Sequence, residues 1–305
     1  MNEPKHKAGP LRIGLVNNMP DGAYQVAERR FTELIGPAAG PRGVEMRLFA
    51  LPGLVRAPAI AVRMAARYQS TDDIPVAGLD ALVVTGAEGR MADLRDEAFW
   101  PAFARLSDWS AQSRTPTLWS CLAAHAAVLH FDGIARRRLP RKCSGVFMVD
   151  SVVPGPGRDA RDASTACPTP HSRHNALDEA DLAKHGYSVL TRSAECGVDS
   201  FAGAGGRFLF CQGHPEYDAD ALALEYRRDV VRYLRGEQAA PPALPEHDFT
   251  SEAEAELEAL MAGALGRRDS KLIAAWPHQP ALRHPQAPWR ELAVTLYGDW
   301  LKTAL

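Results

Sequence analysis

The sequence predicts a doubly wound α/β fold on a mostly parallel sheet, with a helical extension at the C-terminus. Three observations carry this. Short apolar runs at 11–16, 79–85 and 207–212 end in turns rich in Asn, Gly or Pro, as strands buried on both faces do. Helical patterns stand between the runs, and strands alternating with helices imply βαβ units. Hydrophobic residues make up 46% and charged residues 24% of 305 residues, the balance of a globular chain with a sizeable core.

Taken in order, residues 1–10 form a polar lead-in. Residues 11–16 (LRIGLV) are the first strand, and 23–35 a helix with Glu28, Arg29 and Arg30 on its polar side. Residues 44–51 alternate as a second strand, and 79–85 are the clearest strand of all. Phe99, Trp100, Phe103, Leu106 and Trp109 recur at helical spacing, so 97–110 is an amphipathic helix with both tryptophans in the core. Residues 115–120 read as a strand, and from Cys121 a helix rich in small residues begins, on which His125 and His130 read as structural. Residues 143–153 and 186–191 are extended, and 207–212 (RFLFCQ) is a further strand. Leu222, Tyr226, Val230 and Leu234 follow at four-residue intervals along a helix. A Pro-rich connector at 236–248 leads to a helix at 251–266 and a terminal WRELAVTLYGDWL. The expected organisation is one α/β domain over 11–235. The rest, 236–305, is too short for its own core and packs on that domain.

Charge and composition exclude several classes. Lys plus Arg is 35 against 37 Asp plus Glu, a net charge of −2, unlike a nucleic-acid-binding domain. No apolar run approaches the ~18 residues of a membrane helix, and the start MNEPKHKAGP lacks a signal peptide's apolar stretch. The five cysteines form no C-x-x-C pair, which speaks for a reducing, cytoplasmic setting and against a zinc ribbon. Without a P-loop or G-x-G-x-x-G, nucleotide or NAD chemistry has no support. No metal or resident cofactor is expected.

Two segments combine reactive side chains with a place at the carboxyl ends of strands, where such sheets bind ligands. In TLWSCLAA, Cys121 stands where a strand turns sharply into a helix. The positive end of a helix dipole there favours thiolate, and the turn's N–H groups suit an oxyanion. Taken alone, Cys121 reads more readily as a buried free cysteine. In QGHPEYD, Pro215 holds His214 extended, so His214 and Glu216 point the same way. Taken alone, this is a turn capped by Asp218 before the next helix. Together the two make a Cys121–His214–Glu216 arrangement, a known means of activating a nucleophile. The densest charge run, Arg136–Arg137–Arg138 and Arg141–Lys142, suits coenzyme A phosphates or, more plainly, a solvated loop.

The chain resembles the homoserine O-succinyltransferase family from about Leu11 to Leu301. The matching pieces are N-M-P after the first strand, V-T-G-A at 84–87, F-W at 99–100, Cys121, K-x-S-G-V at 142–146 and P-H-S-R at 170–173. They continue with G-H-P-E-Y-D at 213–218, E-x-x-R-D at 225–229 and the W-R and W-L pairs of the terminal segment. The resemblance implies a flavodoxin-like fold of the class I glutamine amidotransferase type, small-molecule substrates only, and a homodimer. It implies acyl transfer from succinyl-CoA, a co-substrate, to the hydroxyl of homoserine through a thioester on Cys121. His214 is then the base and Glu216 its orienter. Arg228 binds the amino acid's carboxylate, with Glu225, Arg173 and Lys142 at further site positions. For each of these four, a surface ion pair is the plainer reading of the residue alone.

Two departures stand out. Asp21-Gly22 replaces paired lysines that usually follow N-M-P. Arg90 replaces a glycine of succinyl-preferring or a glutamate of acetyl-preferring members, and its charge suits a succinyl carboxylate. Acetyl-CoA as donor, or another hydroxy amino acid as acceptor, are the nearest alternatives. A class I glutamine amidotransferase is the main rival, although Trp119 and Ala123 stand where its nucleophile has flanking glycines.

Overall fold

A computed structural model of the chain describes residues 9–152, 166–264 and 280–304, with 268, 272, 274, 276 and 277 between them. Residues 1–8, most of the expected lead-in, lie outside the described residues.

The apolar runs fold as they read. β1 (Leu11–Val16), β4 (Ala81–Val84), β5 (Thr117–Ser120) and β10 (Phe208–Cys211) are almost entirely buried. With β2 (Val44–Ala50) and the two-residue β3 (Gln69–Ser70) they form a parallel array in the order β3-β2-β1-β4-β5-β10. Alternation sends successive side chains to opposite faces. Leu82, Val84, Trp119, Phe208 and Phe210 meet α4 (Trp100–Ser113) and α5 (Leu122–Asp132) on one face. Leu11, Ile13, Leu15, Val83 and Leu209 meet α1 (Tyr24–Ala38) and α9 (Trp289–Leu301) on the other. The C-terminal segment therefore completes the second helical layer, with Tyr297 and Trp300 buried against β1 and α1.

Beyond β10 the sheet turns antiparallel through β9 (Gly197–Gly203), β8 (Ser188–Ser193), β6 (Arg137–Ser151) and β7 (Cys167–Ala176). This half was only partly legible. β7 carries Pro168 and Pro170, which mark turns in a sequence, and it exists because it is the outermost strand, where proline is tolerated. The charge run at 136–142 is a correction as well: it is no free loop but opens β6, with a register shift between Arg138 and Cys143. Away from the sheet, α7 (Ala221–Leu234) buries Tyr226, Val230 and Tyr233 against Leu257 and Met261 of α8 (Ser251–Ala264). Among the described residues no helix is long and apolar enough to cross a membrane.

Candidate active site

β5 and β10 are parallel neighbours paired from Thr117↔Phe208 to Ser120↔Cys211. The residues that follow them emerge side by side at the carboxyl edge, and Cys121 N–H donates to Cys211 O at 2.7 Å. Cys121 sits at φ 52°, ψ −114°, a conformation costing about 1–3 kcal/mol for a residue with a Cβ. The strained turn ends β5 and starts α5 within one residue. It leaves the Cys121 side chain partly exposed beside the first, unpaired N–H groups of the helix. The loop after β4 closes in from the side: a Cβ on Gly86 would lie 3.2 Å from Leu122 N and 3.4 Å from Cys121 Cβ. Glycine lets the loop come this near without a neighbour having to give way.

His214 is fixed by backbone and side chain. Its N–H donates to Pro170 O of β7 at 2.8 Å, its Nδ1 meets Glu216 Oε1 at 2.8 Å, and its ring stacks on Tyr217 at 4.2 Å. Burial opposes a charge on the imidazole, but Cys121, within hydrogen-bonding reach, and Glu216 outweigh it and hold the His214 pKa well above the ordinary histidine range. The three side chains thus form a thiol–imidazole–carboxylate relay that can take a proton from sulfur and stabilise the resulting imidazolium. The Glu216 loop is braced from behind by the C-terminal segment. Trp289 Nε1 donates to Tyr217 O and Arg290 Nη1 to Glu216 O, both at 2.8 Å. Asp218 is no helix cap: it binds Arg29, Arg30 and Arg290 at 2.6, 2.8 and 3.0 Å.

A second polar group lies beyond Tyr217. Glu225 of α7 accepts from Tyr217 Oη at 2.6 Å and Ser172 Oγ at 2.5 Å. Lys142 Nζ stands 3.6 Å from Glu225 and 3.3 Å from Asp229. Burial would push the Glu225 pKa up, but Lys142 and the two hydroxyls bring it below the usual range. Arg228, one position before Asp229, pairs with it at 2.9 Å and keeps a side chain that is 48% exposed. Arg232 reaches Glu88 of the Gly86 loop at 3.9 Å, so α7 and that loop approach each other. Arg90 is exposed in the same loop, whose backbone N–H groups at 90 and 91 are held by the buried Glu97.

A family model described as homoserine O-succinyltransferase matches residues 2–305. The chain belongs to the homoserine O-succinyltransferase family. Relatives carrying that name include one from Methylorubrum extorquens, 48% identical over 95% of this chain and 86% of its own length. Another, from Bradyrhizobium japonicum, is 46% identical over 95% and 89%, and one from Rhodopseudomonas palustris 45% over 95% and 87%. Among solved structures, a glutamine amidotransferase from Thermotoga maritima covers 97% of this chain and 100% of its own, with TM-score 0.53 and 14% identity. A glutamine amidotransferase from Methylobacillus flagellatus gives TM-score 0.50 at 13% identity over 97% and 96%. At such identities the likeness is one of fold, the expected amidotransferase-like α/β fold.

Of the family positions read from the sequence, Cys121, His214 and Glu216 come together, and Lys142, Glu225 and Arg228 gather on the neighbouring face of α7 and β6. Arg173 does not join them. It is 4% exposed and donates to His171 Nδ1, Asn175 O and Cys196 O, on the opposite face of β7 from its neighbour Ser172. Ser172 and Tyr217 went unassigned in the sequence although both stand inside its motifs. Strand alternation across P-H-S-R was the available signal that Ser172 and Arg173 face apart. At the Asp21 departure, Arg56 pairs with Asp21 at 3.3 Å and also donates to Met19 O.

Proposed function

We propose that the chain is an O-acyltransferase that moves a succinyl group from succinyl-CoA to the hydroxyl of L-homoserine by a ping-pong route. The observation that carries the reading is the Cys121–His214–Glu216 relay on a strained strand-to-helix turn, in a chain of this family. His214 takes the Cys121 proton, and the sulfur attacks the thioester carbonyl. The oxyanion forms against the Leu122 N–H at the head of α5. Collapse breaks the bond to coenzyme A, whose sulfur leaves with the proton from His214, and a succinyl thioester stays on Cys121. Homoserine then gives its hydroxyl proton to His214 while its oxygen attacks the thioester. The ester departs and Cys121 regains a proton. Glu216 holds the imidazole and offsets its charge through both halves.

Arg228, the exposed cation of α7, takes the acceptor's α-carboxylate through paired hydrogen bonds. Lys142, Ser172 and Tyr217 fix Glu225 beneath it. Arg90, in the loop beside the nucleophile, takes the free succinyl carboxylate. No resident cofactor enters the scheme. The enzyme works in the cytoplasm as a homodimer on small molecules, which light scattering of the purified protein checks for assembly. The kinetic test is isotope exchange. Labelled coenzyme A should pass into succinyl-CoA without acceptor, at a rate exceeding that with acetyl-CoA. Absence of exchange contradicts the ping-pong route, and release of ammonia from glutamine would favour the amidotransferase reading.

A further inference from the structure

Cys143 of β6, His171 of β7 and Cys196 of the β8–β9 turn converge away from the acyl-transfer site. Their two sulfurs and a ring nitrogen of His171 lie within 4.8 Å of one another. The register puts Cys143 opposite Arg173 and Gly145 opposite His171, so these side chains share one face of the β6–β7 pair. His171 is fully buried, with Nε2 3.1 Å from Asp199 Oδ1. That pair fills the space beside Gly213, where any side chain would collide with it. Both cysteines are partly exposed. They line a cavity of about 770 Å³ whose rim includes Arg137, Arg141 and Glu195, so small solutes can reach the sulfurs.

We propose that Cys143 and Cys196 are a reversible dithiol–disulfide pair, oxidised by a hydroperoxide, with Cys143 the attacking and Cys196 the resolving sulfur. Two features make the sulfurs unequal. The Cys196 thiol, donating to Cys143, favours a thiolate at Cys143 against the opposing effect of burial, and Arg173 adds to it. Cys196 is pushed up to about 12 by the same partner and by burial, against the pull of His171. Such an asymmetry suits an attacking and a resolving cysteine. Cys143 thiolate attacks the peroxide oxygen. An S–O bond forms, the O–O bond breaks, and the leaving oxygen takes up a proton as water or an alcohol. Cys143 is thereby a sulfenic acid, oxidised by two electrons. The Cys196 sulfur attacks Cys143. The S–S bond forms, the S–O bond breaks, and the hydroxyl leaves as water with the proton of the Cys196 thiol. A dithiol reverses the step. Cys196 sits in a hairpin turn beside Gly197 at φ 78°, with its carbonyl held by Arg173.

The same three donors invite a soft metal ion, but Arg173 decides against one. Its Nε already donates to His171 Nδ1 at 3.3 Å, and it is itself buried. A divalent cation would displace that bond and face a fixed guanidinium.

The test uses full-length Cys121→Ser protein, so that the acyl-transfer nucleophile takes no part. After hydrogen peroxide and non-reducing digestion, mass spectrometry should find the Cys143 and Cys196 peptides joined, about 2 Da below their sum, and separated again by dithiothreitol. In an added Cys196→Ser background dimedone should label Cys143, whereas Cys143→Ser should leave Cys196 unlabelled. Over-oxidised Cys143 beside a free Cys196 in the Cys121→Ser protein would overturn the proposal. So would stoichiometric zinc that shields both thiols before any oxidant is added.

Discussion

At the scale of single residues, the site is built from positions where the backbone or the space available leaves little choice. Cys121 holds a strained conformation that presents its sulfur beside the helix start, and His214 is clamped by Pro170 O, Glu216 and Tyr217. Removing the base, as in His214→Ala, should lower kcat/KM on the order of a thousandfold, and Glu216→Gln by about a hundredfold or more with Cys121 still alkylated. Steady-state rates and iodoacetamide labelling check both. Gly86→Ala places a methyl 3.2 Å from Leu122 N, against the proposed oxyanion donor. It should cost about 10²-fold in kcat with little change in either KM. The proposed triad was legible because its members lie in short motifs where local geometry speaks. Cys143 and Cys196 were not: Cys196 stands in an unremarkable turn, and only pairing through β6, β7, β8 and β9 brings it to Cys143 and His171.

At the scale of elements, the parallel strands were readable from buried apolar runs, whereas β7 and β9 were not. Proline in one, and polar residues such as Asp199 and Ser200 in the other, hide strands that exist through their neighbours. The terminal segment bears on the proposed site, because it bonds to the backbone at Glu216 and Tyr217 through Arg290 and Trp289. Arg290→Ala should therefore lower kcat about tenfold while KM for the donor stays within about twofold. An equal loss through lowered folded fraction, seen by circular dichroism, would instead mark Arg290 as merely structural. On α7, Arg228→Lys keeps the charge but loses the paired geometry, and should raise the acceptor KM about tenfold with the donor KM unchanged.

At the scale of the whole molecule, two helical layers enclose the parallel half of the sheet, and α7 with α8 forms a further apolar cluster beside it. One costly group lies next in sequence to Phe249 of that cluster. Asp248 is 2% exposed, its Oδ2 has no hydrogen-bond partner among the described residues, and burial with nearby Asp220 pushes its pKa up to about 7. Below its ordinary value of 3.8, the folded and unfolded chains are both protonated. From there to about 7 only the unfolded chain releases the proton, so stability falls as pH rises across this window, by on the order of 4 kcal/mol. Asp248→Asn should flatten that slope in unfolding temperatures measured between pH 5 and pH 8. Length and near-neutral charge pointed to one α/β enzyme acting on small molecules, and the family match agrees with that. The direct test is intact-protein mass spectrometry after mixing with succinyl-CoA and no acceptor. A gain of about 100 Da mapped to Cys121, lost on adding homoserine and absent from Cys121→Ser, is the predicted result. An unmodified protein that still turns over both substrates, or an adduct on another residue, would contradict the account.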